Sequence, residues 1–161
     1  MPKIVDHDTH RADLALRAAS YFSEHGYGGV SMRKVATHLG VSKSALYHYF
    51  PTKEALFLAC TKEVMKSVAV PQASGASQEA QIQALTKAMA PHFGSEMALL
   101  FDYLRGKTAE DIAQDEAMQV SMAAHHAAVA EIVGEDAAQE TLEHMMGQLL
   151  IGYIRGINGE T

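Results

Sequence analysis

The chain contains 161 residues, enough for one small domain joined to a larger one and too few for several independent domains. Hydrophobic residues make up 48% of it and charged residues 20%, which is ordinary for globular proteins and excludes an intrinsically disordered chain. The longest hydrophobic run, residues 55–60, is far shorter than the ~20 residues of a membrane span. With one cysteine and no signal-like pattern in residues 1–11, the sequence predicts a cytoplasmic protein without an internal disulfide.

Charge is unevenly distributed along this chain, whose formal net charge is −6. Residues 1–60 contain seven Lys/Arg and five Asp/Glu, whereas residues 61–161 contain six and fourteen. No acidic residue lies between Glu24 and Glu54. This stretch contains four basic residues, namely Arg33, Lys34, Lys43 and Lys53. A basic stretch in an acidic protein predicts a local anion-binding surface with nucleic acid as its partner, and a merely solvated basic face is the alternative.

Hydrophobic periodicity predicts an all-α protein, because no segment shows the alternation typical of strands. Four helices are predicted in the N-terminal part: one over about residues 9–25, one from the cap Ser31 to about Leu39, one from the cap Ser42 to Pro51, and one from the cap Thr52 onward. The small residues of segment 71–77, PQASGAS, predict a boundary between two modules.

Beyond this boundary, periodicity again predicts four helices: one ended by Gly94, one ended by Gly106, one from the cap Thr108 to Gly134, and one opening with Asp136 and Gln139 in capping-box spacing. The last two helices carry hydrophobic residues over a broad part of their circumference, which requires burial on two sides. We therefore expect these two helices to form a homodimer interface with the same helices of a second subunit.

Residues 31–50 carry the pattern with the clearest chemistry. Two short helices separated by only Gly40 and Val41 must cross sharply, and this is the spacing of a helix-turn-helix. Because successive helical residues are ~100° apart, one side of the second helix is predicted to face inward with Ala45, Leu46, Tyr49 and Phe50. The opposite side is predicted to face outward with Lys43, Ser44, Tyr47 and His48, whose side chains can reach base edges or phosphates.

Further residues are predicted beside this outward side. Ser31 and Arg33 open the preceding helix, and Lys53 lies in the first turn of the following one, where free backbone N–H groups also favour phosphate. We expect Lys43 to donate to guanine and Tyr47 to pack on a thymine methyl group. A three-helix bundle with a solvated polar face is the alternative.

The run GYGGVSMRKVATHLGVSKSALYHYFPTKEALF, residues 26–57, resembles the DNA-binding signature of the TetR family of bacterial transcriptional regulators, and the likeness extends over about residues 8–65. The resemblance implies an N-terminal three-helix DNA-binding domain, a C-terminal helical domain, and a homodimer that binds double-stranded operator DNA and is released by a small ligand. Carried over by position, it also implies DNA contacts by these residues: Arg33, Lys43, Ser44, Tyr47, His48, Lys53 and Tyr49.

The predicted organisation is a helix-turn-helix domain over residues 1–52, a connecting helix over 53–70, and a C-terminal ligand-binding and dimerisation domain over 71–161. This last part is shorter than is usual in the family, so we expect at least one helix around the usual pocket to be missing or shortened. The predicted function is a repressor released by a small ligand. A DNA-binding protein of the same fold without such a switch, either architectural or regulated by a partner, is the alternative.

Candidate ligand-binding residues combine apolar surface with a few polar groups. They are Met89, His92, Met97, Phe101, Tyr103, Met118 and Met122. The same residues fit the core of a helical bundle equally well. The sequence alone leaves both interpretations open.

No metal, cofactor or catalytic site is predicted. Met118, Met122 and His126 recur at four-residue intervals, but stripes of methionine are more typical of packing than of a soft-metal site. Cys60 lies on an apolar helical stripe and is expected to be an inert core residue rather than a redox sensor. Since no nucleophile has a plausible base partner and no phosphate-binding loop is present, the sequence predicts a protein that is not an enzyme.

Overall fold

The structure, a computed structural model, describes residues 7–68 and 75–157. Within these residues it contains no strand and the following helices: α1 His7–His25, α2 Met32–Leu39, α3 Lys43–Tyr49, α4 Lys53–Met65, α5 Gln78–Leu104, α6 Ala109–Ala113, α7 Glu116–Val133 and α8 Glu135–Ile154. The predicted all-α class is therefore confirmed. None of these helices combines the length and the apolar character that crossing a membrane requires. Residues 71–74 of the predicted boundary segment lie outside the described residues.

The helices form two compact units that interleave along the chain. The first unit comprises the residues up to Ser67 together with Leu99–Ser121. The second comprises Val68–Ala98 together with the chain from Met122 onward. The first unit thus contains α1 to α4 and also the end of α5, all of α6 and the start of α7.

The core of the first unit is built by the apolar faces of its helices. Its fully buried large residues include Phe22, Leu46, Phe50 and Leu56. Tyr103, near the end of α5, joins this core by stacking on Phe57 of α4, with the two ring centroids 4.2 Å apart. Cys60 is buried here too, and burial raises the pKa of its thiol to about 12, which fits an inert core residue.

The second unit has a separate core on α5, α7 and α8. It consists of Leu85, Val129, Ile132, Ala138, Leu142 and Met145. These residues recur every three or four positions along α7 and α8, as one face of each helix requires. Of the stripe predicted on the last helix, Leu142 and Leu149 are buried and Met146 is half-buried, whereas Tyr153 and Ile157 are exposed. The prediction therefore holds for the first part of the stripe only.

Helix α5 differs from the prediction, which ended one helix at Gly94 and the next at Gly106. The structure has one continuous helix over Gln78–Leu104 that passes through Pro91 and Gly94. Gly94 lies against the ring of Tyr153, where a Cβ atom would collide with ring atoms. This glycine therefore permits close packing inside the second unit and does not end the helix.

The single long helix predicted after Thr108 is also wrong, since the structure has two helices there. Thr108 caps α6 in a capping box: its Oγ1 accepts from the Asp111 N–H at 3.2 Å, and Asp111 Oδ2 accepts from the Thr108 N–H at 2.8 Å. After this short helix, Asp115 Oδ1 accepts from the Met118 N–H at 3.1 Å and so begins α7. The carboxylate of Asp115 thus caps a new helix, which explains why the predicted single helix is divided into α6 and α7.

Helix α8 begins at Glu135, and the capping box predicted at Asp136 and Gln139 does not form. The N-cap is Gly134, whose φ of 87° is in the left-handed region and which has no side chain to cap the helix. Gln139 Nε2 instead donates to Glu143 Oε1 at 2.7 Å.

Candidate nucleic-acid interface

The crossing of α2 and α3 is set by two serine caps and one glycine. Ser31 Oγ accepts from the Lys34 N–H at 3.3 Å, and Ser42 Oγ accepts from the Ala45 N–H at 3.1 Å. Between the helices, Gly40 has φ 70° and caps the end of α2. Glycine adopts this left-handed conformation without strain. The places predicted for Ser31, Gly40 and Ser42 are therefore confirmed.

Helix α3 presents two chemically different faces. Leu46 and Phe50 are fully buried, and Ala45 and Tyr49 are half-buried. The exposed residues of the segment are Lys43, Ser44, Tyr47 and His48. The predicted division into inward and outward faces is confirmed. The outward face carries a cation, hydroxyls and an imidazole, as recognition of phosphates and base edges requires.

A shallow depression of about 580 Å³ lies beside this outward face. Its lining includes five of the eight residues predicted to contact DNA: Ser31, Arg33, Lys43, Tyr47 and Lys53. Lys43 Nζ lies 5.5 Å from the centre of the Tyr47 ring. None of the described residues that line the depression is acidic, so its cations make the surface attractive to an anionic partner.

Lys53 has a structural role that the sequence did not indicate. Its ammonium group donates to Tyr27 O at 2.7 Å and to Val30 O at 2.8 Å, and it lies 4.1 Å from the centre of the Tyr27 ring. These bonds tie the first turn of α4 to the segment between α1 and α2. An ammonium group has three N–H donors, so two of them are used within the protein.

We expect Lys53→Ala to affect both folding and DNA binding. Loss of two hydrogen bonds from a charged, partly buried donor should lower stability by about 1–3 kcal/mol. If Lys53 also contacts a phosphate, affinity for specific and random DNA should fall about equally, and the salt dependence should flatten by about one unit. Thermal melts and a salt titration measure the two effects. A lower melting temperature with an unchanged salt slope would show that Lys53 stabilises the segment between α1 and α2 and does not contact DNA.

Tyr49 differs from the other predicted DNA-contacting residues because its ring packs toward α1. The Tyr49 hydroxyl is 3.2 Å from His7 Nδ1, and the ring of His10 meets the Tyr49 ring at a centroid distance of 5.4 Å. His48, the preceding residue, is exposed and its ring also contacts Tyr49. Tyr49 therefore lies at the edge of the outward face rather than on it.

Sequence reasoning missed Asp102, a residue of α5 that holds the segment between α1 and α2. Its Oδ2 accepts from the Gly28 N–H at 2.6 Å. A Cβ atom on Gly26, whose φ is 73°, would lie 3.0 Å from the same oxygen. Gly26 and Gly28 indicated that another part of the chain comes close to this segment. The sequence does not show that the approaching side chain is Asp102, which lies 74 positions from Gly28.

Asp102→Ala is expected to loosen this segment. Removing the carboxylate leaves the Gly28 N–H without its acceptor in an exposed place, which should cost about 1 kcal/mol of stability. Amide hydrogen exchange should show faster exchange at Gly28 than in the unchanged protein. Asp102→Asn keeps an oxygen acceptor and serves as the control with a smaller effect. Equal protection of Gly28 in all three proteins would refute the contact.

Two tyrosine–carboxylate pairs reinforce the same region of the first unit. The Tyr27 hydroxyl donates to Glu54 Oε1 at 3.0 Å, and the Tyr103 hydroxyl donates to Asp115 Oδ2 at 2.7 Å. Burial raises the pKa of both tyrosines, and the carboxylate partners raise it further. Burial opposes ionisation of Asp115, but hydrogen bonds from Lys107 and Tyr103 still hold the pKa of Asp115 below its usual value.

Comparison with known proteins identifies this arrangement. Residues 16–60 match the family model described as "Bacterial regulatory proteins, tetR family". Residues 16–60 therefore carry a TetR-family segment. The matched residues run from the middle of α1 through α2 and α3 into α4, and so they include the whole helix-turn-helix.

Curated relatives are similar to part of this chain. The HTH-type transcriptional repressor AcnR of Corynebacterium diphtheriae is 40% identical over 53 residues, which are 33% of this chain and 28% of AcnR. The HTH-type transcriptional regulator PksA of Bacillus subtilis is 37% identical over 68 residues, 42% of this chain and 33% of PksA. The chain thus aligns with about a third or less of the length of these relatives.

Solved structures extend the likeness in fold to most of the chain. The Flavonoid-responsive Regulator FrrA has a TM-score of 0.61 and 22% identity, covering 95% of this chain and 88% of its own. Salmonella enterica GusR has a TM-score of 0.58 and 22% identity, covering 91% and 85%. The likeness in fold therefore includes the helices that follow the matched segment.

The seven residues predicted to bind a ligand are divided between the two units. Tyr103 and Met118 pack in or against the core of the first unit, whereas Met89 packs against the core of the second. Phe101 and Met122 are 65% and 56% exposed. The other two are His92, which is exposed, and Met97, which is half-buried. Their role in ligand binding stays a prediction.

The C-terminal half of α8 exposes an apolar surface, which we call the α8 surface. Its members, 45% to 70% exposed, are Leu150, Ile151, Tyr153, Ile154 and Ile157. A shallow depression of about 550 Å³ on the same helix is lined in part by Ile151 and Ile157. Large apolar residues that cluster in this way are typical of a protein–protein contact.

Among residues 7–68 and 75–157, no three His, Cys, Asp or Glu side chains are grouped as metal ligands. His126 Nδ1 lies 3.8 Å from Glu135 Oε1, within the second unit. His144, which lies in α8, is hydrogen-bonded to Gln148 at 3.0 Å. These contacts are ordinary side-chain pairs.

Proposed function

We propose that this chain is a transcriptional regulator that binds double-stranded operator DNA through α2 and α3. The observation that carries the proposal is the outward face of α3, which borders an acid-free depression lined by Arg33, Lys43 and Lys53. The curated relatives are named as HTH-type transcriptional repressors and regulators, which supports repression as its activity. We thus propose a DNA-binding protein and not an enzyme.

The proposed contacts divide between base reading and phosphate binding. On α3, Lys43 and Tyr47 enter the major groove, where an ammonium group can donate to guanine and an aromatic ring can pack on a thymine methyl group. Ser44 and His48 lie on the same exposed face and can bond to bases or phosphates. The phosphate contacts are assigned to Ser31, Arg33 and Lys53, which line the depression, and to Tyr49 at the edge of the outward face.

The proposed assembly is a homodimer through α7 and α8. The α8 surface supports this assembly, because its apolar side chains would leave water in a contact between identical helices. A twofold axis then presents one α3 from each subunit to a palindromic operator. The half-site centres should lie about one helical turn, ~34 Å, apart, or somewhat more if the DNA or the domains adjust.

Selection of bound DNA from a random pool is the experiment that tests this function. Purified full-length chain should enrich a palindrome, and sedimentation of the complex should show two chains on one duplex. Enrichment of a single asymmetric site by a monomer would contradict the proposed assembly. Failure to enrich any sequence, with the protein folded, would contradict the proposed function itself.

We also propose that a small ligand releases the protein from its operator. Support comes from a protein of the same fold, FrrA, which is described as flavonoid-responsive. The alternative is a DNA-binding protein without such a switch, and it is favoured by the division of the predicted ligand residues between two units. A screen of small molecules for displacement of operator DNA discriminates between the two functions.

A further inference from the structure

Three histidine rings surround Tyr49 where α1 meets the end of α3. His7 Nδ1 is hydrogen-bonded to the Tyr49 hydroxyl at 3.2 Å. The rings of His10 and His48 each meet the Tyr49 ring edge to face, with centroids 5.4 Å apart. We call His7, His10 and His48 the histidine cluster. It joins the first turn of α1 to the last turn of α3.

The histidine cluster is accessible and continuous with the outward face of α3. His7 and His48 are exposed, and His10 is half-buried. His48 belongs to the outward face of α3 and also to the histidine cluster, because its ring contacts Tyr49. The first turn of α1 therefore forms the rim of the surface that the proposed function places against DNA.

The described charged groups nearest the histidine cluster lie on α1 and α3. On α1 the nearest are Asp8 and Arg11, and the Arg11 guanidinium lies 4.9 Å from the centre of the Phe50 ring. The next pair along α1, Asp13 and Arg17, bond to each other at 3.4 Å. On α3 the charged residue is Lys43.

Charged side chains on the helices that pack against α1 have partners of their own. On α4, Lys53 bonds to backbone carbonyls and Glu54 to Tyr27. Two ion pairs involve the other charged residues of α4 and Lys66 at its C-cap. They join Lys62 to Glu116 and Lys66 to Glu63. On α2, Lys34 Nζ donates to Gly29 O, His38 stacks on Tyr21, and Arg33 lines the depression.

Protonation would change what this cluster can bind. Histidine is the side chain whose charge ordinarily changes between pH 8 and 5. A protonated imidazole has two N–H donors and a positive charge, so it binds phosphate in the way a neutral ring does not. If His7 Nδ1–H donates to the Tyr49 hydroxyl, its Nε2–H is left for an outside acceptor.

We propose that the histidine cluster is a second phosphate-contacting surface that makes DNA affinity rise as the pH falls. The inference rests on the proposed function and adds to it contacts by His7 and His10 of α1, which lie outside the helix-turn-helix. The partner is the sugar–phosphate backbone next to each half-site, so the contact is independent of sequence. Because the charged form of the cluster binds the anion more tightly, DNA binding takes up protons and is strengthened at low pH.

The test compares salt dependence at two pH values. Affinity of the full chain for its selected operator and for a random duplex is measured over a salt series at about pH 8 and about pH 5.5. We expect the plot of log affinity against log salt to be steeper by about three units at the lower pH, one for each of His7, His10 and His48. The double variant His7→Gln/His10→Gln should lose about two of these units with both DNAs.

Two further variants keep the test specific. His25→Gln removes an exposed histidine at the opposite end of α1 and should behave as the unchanged protein does. Tyr49→Phe removes only the hydroxyl that holds His7, so the steepening should drop by about one unit while the fold stays intact. Circular dichroism at both pH values shows whether each protein is folded.

The outcomes separate this inference from the proposed function. Binding with the same pH-dependent steepening in the His7→Gln/His10→Gln variant would overturn the inference, as would pH-independent binding by the unchanged protein. In both cases the proposed function stands. No binding to any duplex at either pH would instead overturn the proposed function.

Discussion

Replacing Leu46 by alanine is expected to cost about 2–5 kcal/mol of folding stability, while replacing its neighbour Tyr47 by alanine should leave stability nearly unchanged. Leu46 has no exposed surface and lies in the core of the first unit, so truncation leaves a cavity. Tyr47 is 39% exposed, and its described side-chain partner is the Lys43 ammonium group 5.5 Å from its ring. Its loss should change stability by about 0.5 kcal/mol.

The same two variants should behave in the opposite way toward DNA. Tyr47→Ala should cost about 1–3 kcal/mol of affinity for the selected operator, the range for one base-reading contact, and should change affinity for random DNA much less. Tyr47→Phe serves as a control that keeps the ring and removes the hydroxyl. Urea unfolding gives the stability, and titration of labelled duplex gives the affinity. Full operator affinity in folded Tyr47→Ala would remove Tyr47 from the proposed interface.

The orientation of α3 was predictable because it depends on local chemistry. Ser42 and Gly40 set the start of the helix and the turn before it, and the ~100° step between residues then decides which side chains face inward. Leu46 and Phe50 are large and apolar, so they select the buried side. These signals lie within ten residues of one another and agree, which is the condition under which sequence patterns are most informative.

The structure differed from the prediction where contacts between distant parts of the chain determine the local structure. Gly94 resembles a helix end, but the Tyr153 ring packs against it and the helix continues. Asp102 resembles a surface carboxylate, but it accepts a hydrogen bond from Gly28. Each of these outcomes depends on a tertiary contact that periodicity and capping rules do not contain.

The assembly is also predictable in part. The broad apolar coverage of the last helix indicated a second buried side, and the structure places exposed Leu150, Ile151 and Ile154 on it. The sequence does not show which part of α8 belongs to the proposed dimer interface. The exposed apolar residues lie in its C-terminal half, whereas Ala138, Leu142 and Met145 are buried within the second unit. The proposed interface is therefore assigned to the C-terminal half.

Ile154→Glu is expected to convert the dimer into a monomer. Ile154 is 70% exposed in the single chain, and an apolar side chain of this size gains about 2–3 kcal/mol on burial. In a twofold interface each substitution acts twice, and the new carboxylate is buried or repelled by its symmetry mate. The dissociation constant of the dimer should rise at least about a thousandfold, equivalent to ~4 kcal/mol.

Loss of the dimer should then remove most of the affinity for the palindrome. Two linked α3 helices bind two half-sites with an effective concentration that raises affinity by about 10²–10⁴ over one helix alone. Ile154→Glu should therefore bind the full operator about as weakly as it binds an isolated half-site, while its helical content stays unchanged. Ala137→Glu, which adds the same charge at an exposed position in the first turn of α8, should remain dimeric and bind normally. A dimeric Ile154→Glu protein with full operator affinity, checked by sedimentation and duplex titration, would show that the subunits meet through another surface.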